Sequence, residues 1–297
     1  MKSAAALLDA LATAATAVDV RARGCWAVTF DAGLVVSASA DDGWLRLAAP
    51  ADVAVSAVDL LERNARLSGG ARVVLHPDLE APQVRVELPL DDEVDLVGRI
   101  REASAGLAAA RWRTVEEGVD PAAGPVVADD DLAERCRETG WEVASREPGR
   151  LAVALDVPGT LQHAVVERRG DGSVAVAVPV LDPSTVEPQP AAEACRTASA
   201  LLLLAAGGVV RMVRAAATTR DGTLHAWLEV VFATRPRAVE LAHAFAALSV
   251  AYRLVGREVA VLWGDETVAR TYLEQWNQRR EEHHGTGSSN DRRASGE

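Results

Sequence analysis

The feature that most restricts this chain is an internal repeat. Leu60–Leu90, LLERNARLSGGARVVLHPDLEAPQVRVELPL, has a counterpart about 140 residues later in Leu201–Phe232, LLLLAAGGVVRMVRAAATTRDGTLHAWLEVVF. Each copy reads as the end of a helix, a Gly-Gly stop, a strand, a polar turn and a second strand, and similarity at a fixed offset marks a duplicated unit. Gly69-Gly70 and Gly207-Gly208 differ by 138 residues, and the turns Asp42-Gly43 and Asp171-Gly172 by 129. The difference falls on Leu181–Pro190, a proline-rich segment read as an insertion between strand and helix. A chain of 297 residues has room for two such units, each with its own core.

The first unit begins with an amphipathic helix over Ala4–Val18, in which Leu7, Leu8, Leu11, Ala15 and Val18 share a face. Strands follow at Cys25–Phe30, Leu34–Ala40 and Trp44–Ala48, turned at Asp31-Ala32-Gly33 and Asp41-Asp42-Gly43. A helix over Ala51–Leu67 ends at Gly69-Gly70. Strands at Arg72–His76 and Gln83–Leu88 and a helix at Asp91–Trp112 complete the unit. The second unit repeats the order with a helix at Asp130–Thr139, strands at Leu151–Val157, Gln162–Arg168 and Ser173–Val180, and a helix at Ala191–Ala206. Strands at Val209–Ala216 and Leu224–Ala233 and a helix at Arg235–Val255 close it. A short strand at Glu258–Trp263 and a helix at Asp265–Arg280 extend it. The expected fold class is therefore α+β, two tandem α-β-β-β-α-β-β-α modules, each an antiparallel sheet packed with helices. Their bounds are 1–114 and 129–280, joined by a Pro/Gly-containing linker at 115–128 and followed by a polar, disordered tail at 281–297.

This order of elements resembles the type III secretion chaperone fold (CesT-like), shared with YbjN-like proteins, over about 1–112 and 129–255. The resemblance lies in the order and not in an invariant catalytic motif. It implies a non-enzymatic chaperone or adaptor that holds an extended segment of a client protein or peptide, commonly as a homodimer. Two modules in one chain instead imply an intramolecular pseudo-dimer, which leaves homodimerisation open.

Net charge is −12 and the pI about 5.1, which argues against nucleic acid or an anionic membrane as partner, because phosphate binding needs clustered cations. No apolar run reaches the roughly 18 residues that span a bilayer. The N-terminal stretch reads as a first helix and not as a secretory signal, since Asp9 breaks its apolar region. Cys25, Cys136 and Cys195 are odd in number and widely spaced, which suits free thiols in a reducing, cytoplasmic setting. Phosphate-loop, dinucleotide, zinc-protease and nucleophile-elbow motifs are missing, and the six histidines lack metal spacing. No catalytic residue, metal or cofactor is expected.

Strand alternation puts Leu45 and Leu47 on the helix-covered face and leaves Trp44 and Arg46 on the other. An offset of 142 residues between the last strands sets Trp227 at the position of Arg85, flanked by His225 and Glu229. Trp44, Arg46, Arg85, His225 and Trp227 are thus the candidate binding surface, because Trp and Arg concentrate where a surface meets a partner. They either receive a client or pack between the two modules. The alternative to a peptide holder is a structural or regulatory interaction protein that assembles with a folded partner.

Overall fold

The computed structural model describes residues 3–51, 55–67, 69–76, 78, 81–90, 95–112, 130–147, 149–181, 192–220 and 223–285. The expected linker and insertion lie outside these residues, apart from Leu181. In the first module α1 (Ala4–Ala14) is followed by β1 (Ala17–Ala22), β2 (Cys25–Thr29), a single 3-10 turn (Asp31–Gly33), β3 (Val35–Asp41) and β4 (Trp44–Pro50). Then come α2 (Ala57–Ala65), β5 (Arg72–Val74), β6 (Gln83–Pro89) and α3 (Leu96–Trp112). The second module runs α4 (Asp130–Glu138), β7 (Val143–Glu147), β8 (Arg150–Leu155), β9 (Gln162–Arg168), β10 (Val174–Leu181), α5 (Glu193–Val209), β11 (Arg214–Arg220) and β12 (Thr223–Phe232). It ends with α6 (Ala238–Gly264) and α7 (Glu266–Gly285).

All pairings are antiparallel, and the sheets are ordered β1-β2-β3-β4-β6-β5 and, read from the other edge, β7-β8-β9-β10-β12-β11. The two orders superimpose strand for strand, so the fold is α+β in two tandem modules of one topology. Each module carries one strand more than the periodicity predicts, β1 and β7. Both lie at sheet edges, are largely exposed and contain a bulge, so they lack the alternation of apolar and polar side chains that a half-buried strand shows.

Two further expectations need correction. The run Glu258–Trp263 is not a strand but the last part of α6, in which Val255, Val259 and Leu262 recur at helical spacing and are buried. As one helix of 27 residues, α6 is long and apolar enough to cross a membrane by length and composition. Its inner face packs on β8, β10, β12 and α5 through Leu241, Phe245, Leu248 and Ala251. Of the tail expected from 281, residues 281–285 are helical, since α7 continues to Gly285, and the remainder lies outside the described residues.

Gly207-Gly208 likewise does not stop its helix, for α5 runs through both glycines to Val209. Their role is close approach. A Cβ on Gly207 would meet the Val213 carbonyl oxygen at 3.3 Å, so bare glycine lets α5 lie close against the start of β11, while Val74 of the other module's β5 would be in ordinary contact at 3.8 Å. The stop expected at Gly69-Gly70 comes earlier, since α2 ends at Ala65 with Arg66 as its cap, and Gly69, at φ of +62°, turns the chain beyond it. Reciprocally, α2 leaves its own sheet edge to pack along β11 and α5. Each middle helix therefore covers the edge strand of the opposite module, and one continuous apolar core runs through both sheets.

Candidate functional site

At the junction, where α2 and α5 cover the edge strands of the opposite modules, a polar cluster is sealed from water. Arg72, the first residue of β5, and Arg214, the first of β11, are 1% and 2% exposed. Strand register pairs Arg214 with Glu229 and Arg46 with Glu87 across neighbouring strands. Arg72 Nη2 binds Glu87, and Arg46 Nε reaches the same carboxylate at 3.2 Å. Arg214 donates to Glu229 from Nε at 2.8 Å and Nη2 at 2.6 Å, and Arg169 Nη2 adds a bond at 2.7 Å. Arg–carboxylate contacts of this kind are charge-assisted and, when forked, geometrically specific.

The same guanidiniums reach across the junction. Arg72 Nε donates to the Gly207 carbonyl at 3.2 Å, and Arg85 Nη1 to the Gly208 carbonyl at 3.1 Å. In return Arg214 Nη1 donates to the carbonyls of Leu67 and Ala71 at 2.8 and 3.0 Å. Asn64 on α2, fully buried, accepts from the Val73 amide at 2.6 Å and donates to the carbonyls of Val73 and Ala215 at 2.9 and 2.8 Å, joining β5 to β11. The Met212 amide, held at φ of +66° where a side chain is unfavourable, donates to Glu87 at 3.0 Å.

These contacts settle the ionisation of the carboxylates. Burial alone would raise the Glu87 carboxyl, but Arg72 beside it, the bonds from Arg72 and the Met212 amide, and Arg46 outweigh burial and hold it at about 2. Glu229 is shifted the same way: burial pushes up, and Arg214, Arg169 and a bond from the Trp227 indole prevail. Arg85 is lowered to about 10, by burial first and then by repulsion from Arg46 and Arg72.

The candidate binding residues therefore divide. Arg85 is buried in the junction, Arg46 serves Glu87 with its outer side exposed, and Trp44 lies 6.2 Å, ring to ring, from His243 at the edge of a junction cavity of about 400 Å³. That cavity lies between β6, α3 and the Gly69-Gly70 turn on one side and β12, the β9–β10 turn and the start of α6 on the other. His225 and Trp227, half-buried, line a separate groove of about 500 Å³ on the open face of the second sheet. Pro179, opposite Trp227 in register, Val165, Ala177 and the Arg150–Glu167 ion pair (3.1 Å) complete its floor and rim.

Arg72, Arg214, Glu87, Glu229 and Asn64 were not among the candidates, because alternation assigns Arg85 and Glu87 to a wetter face and cannot show that the other module covers it. One signal was available: Arg72 and Arg214, like Glu87 and Glu229, are 142 residues apart. Among the described residues no group of three or more His, Cys, Asp or Glu is placed to hold a metal. Burial pushes the Cys136 thiol up to about 12, far from the thiolate form that reacts. Comparison with protein-family models, with curated proteins and with solved structures finds no match.

Proposed function

We propose that this protein is a non-enzymatic holder of an extended client segment, an intramolecular pseudo-dimer working in a reducing compartment and without a cofactor. The client lies in the groove of the second sheet. The observation that carries the reading is the groove itself, an apolar floor of Val165, Ala177 and Pro179 with one aromatic wall, Trp227, and a balanced Arg150–Glu167 rim. Such a floor with few polar groups accepts alternating side chains of an extended peptide. Among the described residues β7 is the edge strand of its sheet, and the exposed charges of Arg146 and Glu147 discourage uncontrolled pairing there. The likeness to secretion chaperones supports the same reading through the order of elements, although each sheet has one strand more than that order contains.

The test is binding of unfolded peptide pools to the full chain, followed by Trp227→Ala and the groove-filling Ala152→Trp. Loss of an aromatic anchor lowers affinity by about 30-fold or more. Unchanged binding in both variants sinks the reading. A second reading, assembly with a folded partner, draws on the exposed stripe Val250, Leu254 and Val261 along α6; a partner captured only when folded, and released by Leu254→Glu, favours it.

A further inference from the structure

The exposed apolar side chains of this chain gather on one helix. Among the described residues ten large hydrophobic side chains are exposed, and four of them, Val239, Val250, Leu254 and Val261, stand on α6 at 47–50% exposure. Scattered singly, such residues need no explanation, but a row of them marks a contact surface. The inner face of α6, through Leu241, Phe245, Leu248 and Ala251, is buried on the second sheet, so the row is a separate, outward side of the same helix.

Between Ala247 and Val261 the outward positions Ala247, Val250, Leu254, Arg257 and Val261 advance by three, four, three and four residues. That is the spacing of a coiled-coil seam, whose side chains enter holes on a facing helix. Charge selects which helix faces it. At about 100° per residue, Arg253 lies about 100° from Leu254 on one flank of the seam and Glu258 about 40° from it on the other, with Arg257 on the Arg253 side. Arg253, Arg257 and Glu258 are exposed and, among the described residues, have no ion pair or hydrogen bond. In a parallel pair about a two-fold axis unlike flanks meet, so the two arginines of each copy face Glu258 of the other. The Arg257 stem lies along the seam while its guanidinium reaches outward to that carboxylate. An antiparallel pair would set like flanks together, arginine against arginine.

We infer that the outer face of α6 is the interface of a parallel, two-fold homodimer, with Val250, Leu254 and Val261 on the seam and Arg253 and Arg257 paired with Glu258 of the second copy. The inference rests on the second reading above, assembly with a folded partner, and supplies that partner. Because α2 and α5 already join the modules within one chain, the assembly is a pair of pseudo-dimers. The groove lined by Trp227 is on the open face of the second sheet, away from α6, and stays accessible.

Sedimentation equilibrium of the full chain over about 1–200 µM tests it. The mass should rise from 31.3 kDa to twice that value, with a dissociation constant in the micromolar range, because a contact of about four helical turns is small. Leu254→Glu puts an unpaired charge on the seam and raises the dissociation constant at least tenfold. Glu258→Arg raises it about fivefold or more, and combining it with Arg253→Glu and Arg257→Glu restores pairing. All four positions are exposed, so each variant melts within about 2 °C of the unaltered chain when both are dilute monomers. Val250→Cys and Val261→Cys, made separately with Cys25→Ser, each join to their own copies through a short thiol cross-linker; an antiparallel pair allows this at one of them at most. A monomer at 200 µM, a dimer indifferent to Leu254→Glu or Glu258→Arg, or cross-linking that fails at either cysteine overturns the inference. A monomer whose stripe takes a different folded protein also overturns it but leaves the second reading standing, so the two failures are told apart.

Discussion

Arg72 and Arg214, 142 residues apart and each the first residue of an edge strand, grip one another's modules. Arg72 Nε donates to the Gly207 carbonyl at 3.2 Å and Arg214 Nη1 to the Leu67 carbonyl at 2.8 Å. Each is also paired with the glutamate of the neighbouring strand, Glu87 or Glu229. The modules are therefore joined by buried charge as well as by apolar contact, and neither guanidinium has water to fall back on.

Removing one partner from such a pair is worse than removing both. Glu229→Gln leaves Arg214 and Arg169 buried without their carboxylate and lowers unfolding free energy by about 3–5 kcal/mol. The double change Arg214→Met with Glu229→Leu recovers part of that loss. Chemical denaturation of the two variants beside the unaltered chain checks both statements.

Asn64→Ala removes the side chain that holds β5 to β11. It leaves the Val73 amide and the carbonyls of Val73 and Ala215 without those bonds, at a cost of about 2–4 kcal/mol. Hydrogen exchange should rise first in β5 and β11 and leave β2 and β9, far from the junction, protected.

Gly207→Val places branched carbon where a Cβ alone already meets the Val213 carbonyl at 3.3 Å. The α5 helix must shift away from the start of β11, and stability falls by about 1–3 kcal/mol, with Gly207→Ala costing less. Gly140→Ala is a contrasting control: its added Cβ meets nothing within 4 Å, but its φ of +80° is strained for any side chain, so its cost is local to the turn.

Acid should loosen the junction. Glu87 is held at about 2, below the ordinary 4.5, so the stability it contributes is complete above about pH 4.5 and is lost as pH falls toward 2. The full shift corresponds to a loss on the order of 3 kcal/mol. Melting temperature followed from pH 6 to pH 2 should drop mainly below pH 4.5, and Glu87→Gln should flatten that part of the profile.

Much of the fold was legible in the order of residues, because strand alternation and helical spacing are local properties of a chain with one buried face. Leu45 and Leu47 against Trp44 and Arg46 is one such case. The edge strands β1 and β7 escaped because both their faces are wet. The run Glu258–Trp263 misled because Val259 and Val261 alternate there within a helix that buries Val255, Val259 and Leu262. Of the candidate surface, strand parity identified the faces, but it could not separate His225 and Trp227, in the groove, from Arg85, in the junction.

By itself the sequence determined the duplication, the α+β class and which side of each central strand is apolar, since each of these follows from spacing along the chain. Tertiary structure alone decided that α2 and α5 cross to the opposite module, that Gly207-Gly208 is a contact and not a stop, and that a charged face is buried. Those outcomes depend on what lies opposite a residue in space, and burial of Arg72, Arg214, Glu87 and Glu229 is tolerable only because each finds its counter-charge in the folded junction.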